Sequence, residues 1–186
     1  MRKKSHITLA KYLVHESRDK ELQKHKYAFY LGSILPDIKP SFIYKRHEIV
    51  TTFPALEEQI KMLSDLDQEK ETGGTKYYRH LGEVSHYLAD YFTYPHNRKF
   101  SGGLKEHCTY EQELKIKLRQ HITSGKAASH KKKYIDFPAP EALFEFVKKS
   151  HQDYLSQNNT VEGDISHIIP INSQVLKSIT KFRKRA

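Results

Sequence analysis

The sequence is poor in cysteine and tryptophan and has no long apolar run. Of its 186 residues, one is cysteine and none is tryptophan. The single cysteine, Cys108, excludes an intrachain disulfide framework, which suits a reducing compartment. No segment approaches the roughly 18 apolar residues of a membrane-spanning helix, so we expect any membrane contact to be peripheral. Near the N-terminus, Lys11, His15 and Glu16 interrupt the apolar positions, and we therefore expect an unexported, cytoplasmic protein.

The sequence has fewer acidic than basic residues. The chain has 32 Lys and Arg against 22 Asp and Glu, which gives a net charge of +10. This excess favours anionic partners such as a phosphate-ester substrate, nucleic acid or an anionic lipid surface, but charge alone does not choose among them. The basic runs Arg2 to Lys4, Lys131 to Lys133 and Lys181 to Arg185 are typical of a solvated surface or tail.

Strict apolar–polar alternation, the pattern of β-strands, is scarce, and the apolar residues follow helical spacing almost throughout. We predict an all-α fold, a single domain over residues 1–186 in which a multi-helix bundle holds a metal cluster between its helices. Ser5 is a candidate N-cap, and Pro54 should lie in the first turn of a helix that starts at Thr52 or Phe53. The other predicted elements are helices over 22–33, 76–94 (central and mostly buried), 104–122, 140–155 and 164–181, an exposed loop over 124–133, and a kink or break at Pro170.

The segment HYLADYFTYPHN, residues 86–97, contains the first candidate site. His86 and Asp90 are four positions apart on a predicted helix, so their side chains project from one face and can converge on one ion. A carboxylate on a largely apolar helix needs compensation for its burial, and metal coordination provides it. A buried hydrogen bond from histidine or tyrosine to Asp90 is the alternative explanation.

A second pair strengthens the metal interpretation. His107 and Glu111 repeat the four-residue spacing on the next predicted helix, and His96 follows the helix-ending Pro95, where it can turn back towards the same region. Imidazole and carboxylate groups are ligands that zinc accepts, and helical bundles commonly build metal sites from facing helices. Cys108 points about 100 degrees away from His107 on the helix and is expected to be a small packed residue.

The spacing of these five residues resembles the core of the bacterial zinc-dependent phospholipase C family, part of the phospholipase C and single-strand nuclease superfamily. The phrase LGSILPDI, residues 31–38, and His47 resemble that family's upstream Asp and His ligands, and His6 its N-terminal histidine. The resemblance spans about residues 6–111 and implies an all-helical fold with three zinc ions. It implies one zinc ion among Asp37, His47, His86 and Asp90, and a second among His96, His107 and Glu111.

The third zinc ion of the family would use His6 and Asp90. In the family it is also held by the amino group and carbonyl of an N-terminal tryptophan, which this sequence lacks. The site could therefore be lost, weakened or rebuilt with another donor such as the Met1 amine. A closed two-metal site is the preferred interpretation. Manganese or iron would also suit these ligand types.

The resemblance implies hydrolysis of a phosphodiester, with Asp37 as a metal ligand and as the general base. Taken alone, an Asp that follows Pro36 is a common turn residue. A nuclease acting on single-stranded nucleic acid is an alternative that the positive charge favours, although those relatives typically end the ligand set with Asp, whereas this chain has Glu111. A non-catalytic protein that keeps its metals for folding is another alternative. The sequence leaves the oligomeric state open.

Overall fold

The computed structural model describes residues 1–38, 47–65, 74–130, 133–157 and 159–185. Within these ranges the protein is helical and contains no β-strand, which confirms the all-α prediction. Three short 3-10 turns, Leu35–Asp37, Tyr94–His96 and Lys126–His130, accompany the α-helices. These helices are α1 (Lys3–Ser17), α2 (Lys20–Lys24), α3 (Lys26–Gly32), α4 (Ile49–Ser64), α5 (Gly74–Tyr91), α6 (Leu104–Thr123), α7 (Pro140–Ser156) and α8 (Val161–Arg183).

Helix α5 lies at the centre of the bundle, as its apolar pattern predicts. It contacts α1, α3, α4 and α8, and Leu81, Val84, Leu88 and Ala89 are almost completely buried. Because α5 is covered on several sides, the polar residues on its inner face have little access to water. Those residues must therefore find partners within the protein.

Helices α3 and α5 approach each other through two glycines. A Cβ atom on Gly32 would lie 1.9 Å from the Arg79 carbonyl oxygen, and one on Gly82 would lie 2.2 Å from the Phe29 carbonyl oxygen. No larger residue fits at either position, because each contact is with rigid backbone rather than with a flexible side chain. This approach places the end of α3 and the following turn, which contains Asp37, directly beside α5.

Several predicted boundaries were wrong. Ser5 is not a cap, since α1 begins at Lys3 and Ser5 is buried inside it. Helix α4 begins at Ile49, five residues before Pro54, and continues through that proline. The missing Pro54 N–H would have paired with the carbonyl of Val50, which lies on an exposed part of the first turn, where water can serve instead. Similarly, α8 continues through Pro170 without a break.

Two other segments also differ from their predictions. The predicted helix over 22–33 is divided at His25 into α2 and α3. The predicted exposed loop over 124–133 includes the turn Lys126–His130, in which Ala127 is fully buried. Of the basic run Lys131 to Lys133, residues 131 and 132 lie outside the described residues. None of the described helices is both long and apolar enough to cross a membrane.

Candidate metal centre

Helix α5 contributes two fully buried polar side chains to the centre of the bundle, His86 and Asp90. Their four-residue spacing brings His86 Nε2 to 3.2 Å from Asp90 Oδ2. Two more residues reach the same point from outside α5. His47 Nδ1 lies 2.9 Å from Asp90 Oδ2, and Asp37 Oδ1 lies 3.6 Å from His86 Nε2. We call Asp37, His47, His86 and Asp90 the first group; one ligand atom from each lies within 4.8 Å of the others.

The backbone of the α3 terminus fixes the orientation of His86. The Nδ1–H of His86 donates to the Ser33 carbonyl oxygen at 2.9 Å. A carbonyl only accepts, so Nδ1 carries a proton, and Nε2 is the ring nitrogen that can coordinate a metal ion in the first group. Such an outer hydrogen bond is the usual support of a metal-binding histidine. It depends on the close approach of α3 and α5 at Gly32 and Gly82.

Three residues form the second group: His96, His107 and Glu111. His96 is at the end of the 3-10 turn that follows α5, and the other two lie one turn apart on α6. Both His96 Nε2 and His107 Nε2 lie 3.2 Å from Glu111 Oε1. The side chains of His96 and Glu111 are about one-seventh exposed and that of His107 is 30% exposed, so the second group lies nearer to solvent than His86 and Asp90.

Asp90 connects the two groups to the N-terminus of the chain. Its Oδ1 lies 2.5 Å from the Met1 amino nitrogen and 3.3 Å from His6 Nε2, while its Oδ2 faces His47 and His86. The Met1 amine also donates to His96 Nε2 at 2.8 Å and lies 3.3 Å from Glu111 Oε1. His6 is buried and stacks on the His86 ring, with 3.9 Å between their centroids.

The electrostatics of the centre favour a bound cation. Burial opposes ionisation of Asp90, but His96, the Met1 amine and His86 outweigh it and hold the pKa of Asp90 well below its usual range. Burial also disfavours the charged Met1 amine, yet Asp90 and Glu111 raise its pKa. The carboxylates of Asp90 and Glu111 therefore attract positive charge, and the Met1 ammonium group lies between them.

Burial acts directly on two histidines of the centre, His6 and His96. Burial is the main cause that lowers the pKa of His6, to about 3, and it also lowers the pKa of His96. His6 Nε2 is buried, makes no well-formed hydrogen bond with the described residues, and lies beside Asp90. Imidazole nitrogens and carboxylate oxygens that converge on one point are the donor set of a zinc site, so these residues fit zinc.

Two other side chains lie beside the centre: Tyr87, which packs against it, and Cys108, whose predicted environment was wrong. Tyr87 packs edge-on against the rings of His47 and His86, with centroid distances of 5.1 and 5.5 Å. Cys108 was expected to be packed, but it is exposed, since most residues in the first half of α6 lie at the surface.

A hydrogen-bonded pair that the sequence did not indicate supports the turn that contains His96. The charged neighbours of His151 predicted a surface position, but His151 is buried and packs against Phe92. Its Nε2–H donates to Asn97 Oδ1 at 2.8 Å, and the Asn97 amide donates to the backbone carbonyls of Tyr91 and Thr93. Helix α7 therefore contacts the α5 terminus through side chains that ligand spacing alone does not reveal.

Comparison with known proteins agrees with this centre. The family model for zinc dependent phospholipase C matches residues 5–161, which extends well beyond the ligand pattern that ends at Glu111. No curated protein and no solved structure matches the chain significantly. Because the family match covers most of the chain and includes all the converging residues from His6 to Glu111, the chain belongs to the zinc-dependent phospholipase C family.

Proposed function

We propose that the protein is a zinc-dependent hydrolase of phosphodiesters. The observation that carries this proposal is the convergence of two groups of metal-competent atoms, the first group and the second group, on one buried carboxylate. His96 Nδ1 lies 3.7 Å from Asp90 Oδ2, so the two groups are adjacent. Zinc ions held side by side would polarise a phosphate ester and lower the pKa of a bound water molecule.

The residues would divide the metal binding between them. Each group would hold one zinc ion, with Asp90 at the boundary between them. A third position would use His6 and Asp90 Oδ1, the oxygen that faces away from the first group. The Met1 amine lies beside that oxygen and is the candidate replacement for the tryptophan amine of the family, provided that it gives up its proton.

Asp37 would act as the general base as well as a ligand. Its side chain is 9% exposed, whereas those of His86 and Asp90 are fully buried, so Asp37 is the carboxylate of the first group that solvent can reach. Its other interactions, 3.6 Å to His86 Nε2 and 3.9 Å to His47 Nδ1, leave room for it to accept a proton.

Two classes of phosphodiester are candidate substrates. Membership of the family favours a phospholipid ester, and Glu111 in place of Asp favours the same side of the superfamily. The net charge of +10 favours the second candidate, single-stranded nucleic acid. Parallel assays with a phosphatidylcholine dispersion and with single-stranded DNA, each with and without added zinc, distinguish the two.

The substitution Asp37→Asn tests the catalytic role. We expect hydrolysis to fall by at least about 100-fold, as is typical for loss of a general base, while most of the zinc remains bound because the other ligands are unchanged. Activity and zinc content are measured on the same preparations, with the exposed Asp153→Asn as a matched control. Removal of zinc with a chelator should abolish activity and re-addition should restore it.

The opposite results contradict the proposal. An unmodified protein that retains its zinc but hydrolyses neither substrate supports the non-catalytic alternative, in which the metals serve folding. An Asp37→Asn variant with wild-type turnover and full zinc content would show that Asp37 is not the general base. A protein that binds no zinc removes the proposal as a whole.

A further inference from the structure

Asp164, in the first turn of α8, is a fully buried carboxylate outside the residues that the family model matches. It accepts three hydrogen bonds. Its Oδ2 accepts from the Tyr94 backbone N–H at 3.0 Å and from the Tyr110 hydroxyl at 2.9 Å, and its Oδ1 accepts from the Tyr154 hydroxyl at 2.7 Å.

The two donors to Oδ2 belong to the two elements that provide the second group. Tyr94 is the first residue of the 3-10 turn that ends at His96, and Tyr110 immediately precedes Glu111 on α6. One oxygen atom therefore connects the backbone of the His96 turn to the helix that contains Glu111. Tyr154, the donor to Oδ1, lies on α7, a helix that contributes no residue to the first or second group.

An apolar residue at this position would leave the Tyr94 N–H and the two tyrosine hydroxyls without an acceptor, so Asp164 also stabilises the fold. What points beyond a purely structural role is where its Oδ2 partners lie. The carboxylate adds directed acceptors that fix the turn and α6 relative to each other. His96 Nε2 and Glu111 Oε1 lie 3.2 Å apart on the two elements that Asp164 connects.

We propose that Asp164 is a positioning residue for the second group: it holds His96 and Glu111 at the spacing that zinc needs. This inference rests on the proposed function, since it assumes that the second group binds zinc. Groups that hydrogen-bond a metal ligand directly change metal affinity by about 10–100-fold when they are removed. Asp164 bonds the neighbours of the ligands rather than the ligands themselves, so we expect an effect at the lower end of that range.

A pair of matched tyrosine variants tests the proposal. Both Tyr110→Phe and Tyr154→Phe remove one hydroxyl from the same carboxylate, but only Tyr110 lies on an element that holds the second group. Zinc titration against a competing chelator should show that Tyr110→Phe weakens one binding step by about tenfold. Tyr154→Phe should leave every binding step near its wild-type value. The same titration of His107→Ala, which removes a ligand from the second group only, identifies the step.

Substitutions of Asp164 itself provide the conservative comparison. Asp164→Asn keeps an amide oxygen that can accept from Tyr94 and Tyr110, whereas Asp164→Ala removes every acceptor. We expect zinc affinity at the second group to decrease in the order wild type, Asp164→Asn, Asp164→Ala, with binding at the first group retained. If Asp164→Ala does not fold, the comparison of Tyr110→Phe with Tyr154→Phe still tests the positioning role of Asp164.

Equal effects of Tyr110→Phe and Tyr154→Phe, or wild-type zinc binding by a folded Asp164→Ala, overturn the positioning role and leave the proposed function standing. A wild-type protein without any zinc binding overturns the proposed function and this inference together. The two failures are therefore distinguished by the wild-type titration alone.

Discussion

Asp90 is the residue on which both ligand groups depend. Its Oδ2 faces the histidines of the first group, and its Oδ1 faces His6 and the Met1 amine. It is completely buried, so water cannot replace any of these contacts. A neutral side chain of the same shape would keep the packing but remove the negative charge around which the histidines converge.

We therefore expect Asp90→Asn to remove zinc from more than one position. Its zinc affinity should fall by more than about 100-fold, beyond the effect of losing an outer partner, because the change removes a ligand itself. The metal-free variant should also lose about 3–5 kcal/mol of stability, because it leaves the buried Met1 ammonium without its closest carboxylate. Zinc content and denaturant unfolding measure these effects, and Asp153→Asn serves as the exposed control. Full zinc content in Asp90→Asn would contradict the bridging role.

At the scale of single residues, helical spacing in the sequence indicated the candidate ligands on α5 and α6 but not those that lie in turns and loops. The pairs His86–Asp90 and His107–Glu111 follow from a four-residue repeat, which needs only local sequence. Asp37 and His47 have no periodic relation to them and were indicated by resemblance alone. His151 was misplaced because its neighbours along the chain are charged, while its burial depends on α5, which is distant in sequence.

At the scale of the elements, the close contact between helices α3 and α5 sets the geometry of the first group. Their contact at Gly32 and Gly82 brings the Ser33 carbonyl to His86, and the turn that follows α3 presents Asp37. The glycine of LGSILPDI therefore has a physical role that the motif alone does not reveal. The sequence predicted α5 as central and buried, but it could not show which helix approaches it most closely, because that depends on the paired glycines.

The substitution Gly82→Ala should separate α3 from α5. Alanine favours a helix by about 1 kcal/mol over glycine, but a Cβ placed 2.2 Å from a backbone oxygen requires the helices to move, and overpacking of this kind costs about 3 kcal/mol or more. We expect a net loss of stability, together with weaker zinc binding at the first group. Thermal unfolding of the metal-free protein and zinc titration measure the two effects.

Gly103→Ala is the matched control for this prediction. Its Cβ would lie 3.1 Å from Glu106 Oε2, the end of a flexible side chain that can move aside. Gly103 is the N-cap residue of α6, where alanine is less favourable than glycine, so we expect Gly103→Ala to cost no more than about 1 kcal/mol. A Gly82→Ala variant as stable as Gly103→Ala would show that the close approach of the helices is not required.

At the scale of the whole molecule, one helical bundle brings together metal-competent residues from His6 to Glu111 around a buried carboxylate. The all-α class followed from apolar periodicity, and the family match extends the resemblance from Glu111 to residue 161. Pro54 and Pro170 led to wrong predictions because tertiary packing maintains α4 and α8 through residues that disfavour an isolated helix.

Anomalous diffraction at the zinc absorption edge, from crystals grown with zinc, tests the proposed zinc centre most directly, because it counts the ions and locates them. We expect at least two peaks, one among Asp37, His47, His86 and Asp90 and one among His96, His107 and Glu111, each about 2.0–2.2 Å from its ligand atoms. A zinc-grown crystal with no anomalous peak at either group would contradict the proposed zinc centre.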